Sequence, residues 1–441
     1  MKKILLISTS MLLAISILFT SVSCSPVKES GKVTTEKTVV EVKELQSQNL
    51  LDGYQSSITD KGEVTKEFKD ALNDFSFKLY KAVTEKNGKN VIVSPLSVYI
   101  CLALIANGAE GETRSQMEEV LGMKVEEVNE SLYNFVDSLS SSEKCKVSIA
   151  NSVWLKDTNG NIKVNSEYLQ EIADWYDSEI YKAPFDETTL KDINNWCSNK
   201  TDGLINKILD EINPQSVAYL INAVLFDAKW ENAYKDQDII ENYDFTNYDK
   251  TKTKVTMLHS REGVYYTGKD FVGTQKRYAG GQYSLVVLLP NSDVDIYDFV
   301  NSLDRDKWAQ VIMSHFARNS LVDVNLLMPE FESESEMPLN DVLQSMGMKD
   351  AFNSNADFTN MFNESKKGDF CISSIKQKAI IKVNKEGTKA AAVTIGEMTA
   401  TAVEPPITTV NITLDRPFVY AIVDNFTFCP LFVGVNVNIN N

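Results

Sequence analysis

Between Val383 and Pro406 the chain carries a segment that suits two different places in one fold. A strand-like run, Ala379–Val383, leads through Asn384-Lys385-Glu386 into Gly387. Nearly twenty residues with mostly short side chains follow, and Pro405-Pro406 closes the segment. No apolar stripe marks it as a core helix, so taken alone it reads as a surface loop or an exposed Ala-favoured helix. Its alternate positions say more. Thr388, Ala390, Ala392 and Thr394 would share one face of a strand. All four are small enough to enter a packed sheet without overfilling it. Lys389, Ile395 and Glu397 would fall on the opposite face, toward solvent. Such a segment can live as an exposed loop and also fit as a central strand, and a chain able to do both can be kinetically trapped in the looped state.

The rest of the chain supplies the expected elements. Phe68, Ala71, Leu72, Phe75, Leu79 and Ala82 recur at helical spacing. Ser97–Ala106, Ser115–Leu121, Ser166–Trp175 and Ile193–Asn199 are further helices. Val91–Val93, Val147–Leu155, Ser284–Leu289, Val322–Leu327, Thr408–Leu414, Phe418–Val423 and Leu431–Val437 read as strands. Ser216–Trp230 is continuously apolar around Leu220–Phe226, which implies burial on both faces. Asn159-Gly160 is a hairpin-turn dipeptide. No repeat of 20–50 residues is present, and no linker-like composition follows residue 65. Strands without regular βα alternation favour an α+β mixture in one large domain.

Composition narrows the chemistry. The 441 residues carry 61 acidic and 44 basic side chains, a net charge of −17, which argues against a nucleic-acid surface. The two histidines, His259 and His315, have no partner at metal-ligand spacing. Neither a G-x-S-x-G elbow, a Walker A loop nor an EF-hand loop occurs. Asp293, Asp295 and Asp298 read as a solvated loop and helix start. The six cysteines are scattered without a C-x-x-C, so isolated buried thiols are expected. No metal or cofactor is implied.

The first residues read as an export signal: Lys2 and Lys3, an apolar run from Ile4 to Phe19, then small residues before Cys24. The run is shorter than the ~20 residues that span a bilayer. Residues 1–23 thus form a signal peptide, and Thr20-Ser21-Val22-Ser23-Cys24 is similar to a bacterial lipobox, with Ser21 standing where that motif prefers an apolar residue. Cys24 would be the lipidated terminus. Residues 24–65 are rich in Lys, Glu, Ser and Thr and read as a flexible tether, with a short helix possible within Val42–Leu51. The expected location is extracellular, anchored to the cell-membrane surface through Cys24.

Several separated motifs over residues 67–441 then resemble the serpin family. Asn90-Val91-Ile92-Val93-Ser94-Pro95-Leu96-Ser97-Val98 is similar to the family's shutter motif. Ala106–Thr113 matches the Gly-Ala-x-Gly-x-Thr turn, and Ile193-Asn194-Asn195-Trp196 with Lys200–Ile205 resembles the helix F region. Leu220–Phe226 through Trp230 resembles the strand that ends at the breach tryptophan. Pro329-Glu330-Phe331, Gly347-Met348, Ala356-Asp357-Phe358, Arg416-Pro417-Phe418 and Pro430–Gly434 follow in order. The resemblance implies a single serpin domain over 66–441, with a large mixed sheet, two further sheets, about nine helices and an exposed reactive-centre loop. It implies a suicide inhibitor of serine or cysteine endopeptidases, not an enzyme, acting as a monomer. The loop would be cleaved, the acyl-enzyme trapped, and the loop inserted into the main sheet.

In that reading Glu386, Gly387, Thr388, Ala390, Ala391, Ala392 and Thr394 form the hinge. Ser94, Ser97, Asn194, Asn222, Gln377 and Trp230 control sheet opening at shutter and breach. Lys385 stands where the family usually has Glu. Gln377 stands where it usually has His, so a modified network with Asn222 and Ser94 is expected. Counting from Gly387 puts the reactive bond at Thr401–Ala402, within Met398–Glu404. That window lacks Lys and Arg and favours elastase-like or subtilisin-like proteases. Two other readings stand beside this one: a non-inhibitory surface binding protein of the same fold, and a secreted hydrolase using two carboxylates.

Overall fold

Apolar periodicity and capping place the helices. In the computed structural model, α1 (Lys66–Val83) buries Phe68, Leu72, Phe75 and Leu79, and the Thr65 hydroxyl caps it by accepting from the Phe68 amide at 3.1 Å. The structure describes residues 42–59, 62–85, 88–139, 142, 144–316, 322–388 and 408–439. Helix α2 (Pro95–Ala106) starts two residues earlier than its Ser97 suggested, with Pro95 at the first helical position and every residue buried. Against it pack α1, α3 (Gly111–Leu121) and α4 (Val125–Ser138); α5 (Ser166–Trp175) packs on α4, α8 (Arg305–Phe316) and α9 (Asn340–Met346) pack on α1, and α7 (Ile296–Ser302) precedes α8. Asp295 caps α7 by accepting from the Tyr297 and Asp298 amides, so that acidic cluster is a helix start as expected.

Three sheets complete the body. The main sheet runs β1 (Gln48–Asn49), β4 (Ser178–Ala183), β3 (Cys145–Lys156), β5 (Ala218–Lys229), β14 (Gly387–Thr388), β13 (Ser374–Val383), β12 (Phe331–Pro338). The second runs β2 (Val91–Val93), β17 (Pro430–Asn436), β16 (Phe418–Asp424), β10 (Tyr283–Pro290), β9 (Phe271–Arg277), β8 (Tyr266–Thr267). The third runs β15 (Thr408–Thr413), β11 (Val322–Pro329), β7 (Lys252–Glu262), β6 (Ile239–Thr246). Strand β5, inside the main sheet, is buried on both faces, as its unbroken apolarity required. One face of the sheet covers α2 and the principal core. Against the other, α6 (Glu187–Lys200) sets Ile193 and Trp196 over Trp154, Tyr219, Ile221 and Ala223.

Four expectations are corrected. Asn159-Gly160 makes no hairpin, because β3 pairs with β4 in parallel and the chain between them carries α5. Parallel neighbours need a crossover, not a two-residue turn. No helix forms within Val42–Leu51: the backbone there is extended and pairs at Gln48–Asn49 with β4. Residues 42–59 are consequently not a free tether. Leu45, Leu50, Leu51 and Tyr54 pack against the body, and the buried Asp192 carboxylate of α6 accepts from the Gln46 and Ser47 amides at 2.9 and 2.7 Å. The fourth concerns the odd-numbered face of the hinge segment, since the sheet face it would join is overlain at its centre by α6 rather than open to solvent.

Candidate functional site

The site lies where β5 and β13 part. Low down, the two strands pair directly and in parallel, Ser374 opposite Tyr219 through Lys378 opposite Ala223. Higher up they diverge, and β14 sits between them, antiparallel to both. Gly387 lies opposite Lys229, and Thr388 lies between Ala228 and Val383. Gly387 is required there: a Cβ would stand 2.1 Å from the Ala228 carbonyl oxygen and 2.8 Å from the Lys229 Cα. Thr388 is buried, 1% exposed, and its hydroxyl meets the Tyr278 hydroxyl at 2.7 Å. Burial pushes the Tyr278 phenol far above its usual range, against a smaller opposing pull from Thr388, so both hydroxyls stay neutral and one donates to the other.

A dense set of contacts holds the entry. The Trp230 amide donates to the Glu386 carbonyl at 3.1 Å and its indole N–H to the Asn384 carbonyl at 2.9 Å. The ring stacks on Tyr278, 4.5 Å between centroids and 12° between planes. The Lys276 ammonium lies 5.5 Å from the Trp230 ring centroid and 4.4 Å from that of Tyr234, and is paired with Glu262 at 3.1 Å. The Asn384 side chain accepts from the Glu386 and Gly387 amides, closing a turn before the hinge. Lys385 donates its amide to Glu330 at 2.9 Å, and its ammonium lies 3.7 Å from the exposed Asp236. So the lysine at the position where the family usually has glutamate finds an acidic partner on the surface, a contact of small energetic weight.

The middle of the sheet is less well satisfied. Asn151, Asn222 and Gln377 sit opposite one another on β3, β5 and β13. Gln377 accepts from the Ser94 amide and donates to the Ser94 carbonyl, both at 2.9 Å. That is the first turn of α2, and Gln377 thereby ties sheet to helix through the backbone. The expected bond from Gln377 to Asn222 is not made. Both polar atoms of the Asn222 amide and the Ser94 hydroxyl are buried without a hydrogen-bond partner. The Ser97 hydroxyl donates to the side-chain amide oxygen of Asn151 at 3.5 Å. Asn194 lies elsewhere: it is on α6 and binds the amides of Ile208 and Leu209 and the Leu209 carbonyl, pinning the chain that follows the helix.

The structure therefore brings Glu386, Gly387, Thr388 and Trp230 together at one end and Ser94, Ser97, Asn222 and Gln377 at the middle. It removes Asn194 from that set. Cys24, Ala390, Ala391, Ala392, Thr394, Thr401 and Ala402 lie outside the described residues. Sequence reasoning missed Tyr278, Lys276, Glu262 and Asn151. Nothing local marks the first three, whereas the alternation in Val147–Leu155 places Asn151 on the same face as its shutter neighbours. Among the described residues no group of His, Cys, Asp or Glu could hold a metal ion, and no helix is long and apolar enough to cross a membrane.

Comparison with known proteins matches this arrangement. The model of the family Serpin (serine protease inhibitor) covers residues 70–439. The chain is 30% identical over 377 residues to Iris of Ixodes ricinus, covering 82% of this chain and 96% of that one. The crystal structure of tengpin, a thermophilic serpin, in its native state is 37% identical, covers 90% of this chain and 100% of tengpin, and superposes with a TM-score of 0.83. The same protein in its latent state gives 0.74, at 34% identity and coverage of 86% and 100%. The fold alone is shared with thyroxine-binding globulin in complex with thyroxine, at 22% identity, TM-score 0.73 and coverage of 85% and 99%. From the seated hinge, the three-sheet body and a family match over most of its length, this chain belongs to the serpins.

Proposed function

We propose that the chain is a suicide inhibitor of serine endopeptidases, with cysteine endopeptidases as a second target class. The observation that carries the reading is the register of β14. Each further loop residue would meet one residue further back on β5 and one further back on β13. Six residues on from Thr388, Thr394 comes opposite Asn222 on one side and Gln377 on the other. Its hydroxyl would arrive where two strand neighbours meet, beside an amide that has no partner. Ala390 and Ala392 would pass on the same face without overfilling it. On the other face Val393 would come opposite Ala223 and Ile395 opposite Ile221, beneath the apolar side of α6. The described part of the hinge is already threaded between the two strands that must separate, which favours insertion over a static binding role.

The chemistry follows from that geometry. A protease serine attacks the carbonyl of Thr401, the peptide bond to Ala402 breaks, and the new amino terminus leaves. The ester now joins the protease to a loop free at one end. Fifteen residues, Gly387 to Thr401, span ~50 Å at 3.3 Å each when extended, enough to carry the protease the length of the sheet. Deacylation needs a water and an oxyanion hole in register with the ester, and dragging disrupts both. Thr399-Ala400-Thr401-Ala402 suits small or apolar specificity pockets, so elastase-like and subtilisin-like enzymes are the proposed targets. Export, a lipidated Cys24, surface anchoring and a monomeric state belong to the same proposal.

The test incubates the full chain with pancreatic elastase and with subtilisin. A band that survives denaturing electrophoresis at the summed mass, with a released peptide beginning at Ala402, supports trapping. Cleavage that yields neither a complex nor a large rise in melting temperature overturns it, leaving a serpin-fold binding protein.

A further inference from the structure

Inserting the loop carries charge onto the sheet face that α6 overlies. Between Gly387 and Thr401 only Lys389 and Glu397 are charged. Both lie outside the described residues, and their places in an inserted strand follow from the register that seats Gly387 and Thr388. Lys389 comes opposite Asp227 of β5, near the entry. Glu397 comes at the far end, between Tyr219 of β5 and Ser374 of β13, which now face each other. That end is shielded from water. Tyr219 is 4% exposed, lies 5.3 Å from Phe185 between ring centroids, and its hydroxyl accepts from the Asn213 amide at 3.0 Å. A carboxylate brought there without a counter-charge would lose water and gain nothing in return. A cation is within reach. Lys376 lies two residues along β13 from Ser374 on the same face, where long side chains meet diagonally across a strand pair. Its side chain is 24% exposed, and its present contact is loose: 3.6 Å to Glu336, against 2.8 Å from Lys378 to Glu334 and 2.9 Å from Lys382 to Glu332. Glu336 also has Lys378 at 3.7 Å, so Lys376 can turn away without stranding it.

We propose that Lys376 is a positioning residue for loop insertion: it turns from Glu336 to Glu397 as the inserted strand arrives, and so offsets the burial of that carboxylate. The inference rests on the inhibitor reading and deepens it, because it names what the far end of the sheet requires of the incoming loop. Lys376 touches neither the protease nor the bond that is cut. It acts through Glu397, on how completely the strand goes in.

The test cuts the loop of the full chain with subtilisin or pancreatic elastase. Two quantities are read: the rise in denaturant midpoint on cleavage, and the ratio of trapped complex to released, cleaved chain. Lys376→Glu is expected to shrink the rise and to cut the ratio about fivefold, the worth of one cross-strand charge pair at the upper end. Glu397→Lys should do the same. The double exchange, Lys376→Glu with Glu397→Lys, should regain both, which a merely structural lysine would not allow. Lys376→Met keeps the apolar stem without the charge and gives a second reading if the acidic variant folds poorly, with a smaller loss of the same sign. A wild-type chain that gains no stability on cleavage would sink the inhibitor reading and this inference with it. A wild-type gain that Lys376→Glu and Lys376→Met leave unchanged, or a double exchange no better than either single, would overturn this inference alone.

Discussion

The two ends of the gap between β5 and β13 are built on different terms. At the breach most groups that meet the hinge have a partner, Thr388 with Tyr278, the Trp230 indole with Asn384 and Lys276 with Glu262, while one carboxylate oxygen of Glu386 is buried without one. At the shutter, Asn222 is wholly buried with no stronger partner for its amide than the Cys101 thiol, and the Ser94 hydroxyl is also unpaired. An unpaired buried polar group costs about 1–3 kcal/mol, more than a typical hydrogen bond contributes. The contrast teaches that the Thr388 hydroxyl is paired where the loop has entered, while the amide ahead of it, at the position the register assigns to Thr394, is not.

The largest expected effect comes from breaking the satisfied end. Thr388→Arg would force a guanidinium into a buried site that holds a hydroxyl, overfilling it and stripping the charge of water. Cleavage by a target protease should continue, while the yield of denaturant-stable complex falls by an order of magnitude or more. An unchanged yield on gels would mean that the seated hinge is incidental. Trp230→Ala comes next. It removes the ring stacked on Tyr278 and the indole bond to Asn384, and should lower the stability of the uncleaved protein by about 3–5 kcal/mol, read by denaturant unfolding.

The shutter should respond with the opposite sign. Asn222→Leu keeps the volume and deletes two unpaired atoms, so the uncleaved protein should gain about 1–3 kcal/mol. The loop-cleaved form should gain less, because there Thr394 would supply a partner. Thr394→Val should leave the uncleaved form unmoved and lower the melting temperature of the cleaved one. Destabilisation of uncleaved Asn222→Leu would show that the amide is paired in solution and would remove the contrast.

Much of this was legible from residue order. Strand periods located β5, β10, β16 and β17 to within one or two residues, since continuous apolar runs bounded by turns have few other readings. Of the hinge, the structure describes only Gly387 and Thr388, and these take the strand position that the spacing of small residues suggested. Helix α4 was passed over although Val125, Val128, Leu132 and Phe135 carry its stripe. Strand β12 was hidden for a physical reason: Phe331-Glu332-Ser333-Glu334-Ser335-Glu336 looks solvated, and its glutamates are held across the strand pair by Lys382, Lys378 and Lys376. Partners remote in sequence, such as Tyr278 beneath Thr388, leave no local trace. Nor did composition reveal that residues 42–59 dock, because several of the bonds that hold them come from backbone amides, which α6 satisfies and which leave no mark on composition.

That docked segment yields the smallest of the expected effects and extends the comparison to the sheet's outer edge. Asp192 on α6 accepts from the Gln46 and Ser47 amides and from the Ser47 hydroxyl at 2.7 Å, and it is 2% exposed. Asn199, two turns along the same helix, exchanges two hydrogen bonds with the backbone of Lys43. Asp192→Asn keeps the size but turns part of an acceptor into a donor facing amides. It should cost about 1 kcal/mol of stability and expose residues 42–59 to proteolysis. Hydrogen exchange at Gln46 and Ser47 reads this directly. Faster exchange there, with Thr388 and Trp230 protected as before, would place this edge on a separate energetic footing from the breach. Faster exchange at both would mean that the segment on α6 and the hinge between β5 and β13 open together, since α6 lies over the main sheet.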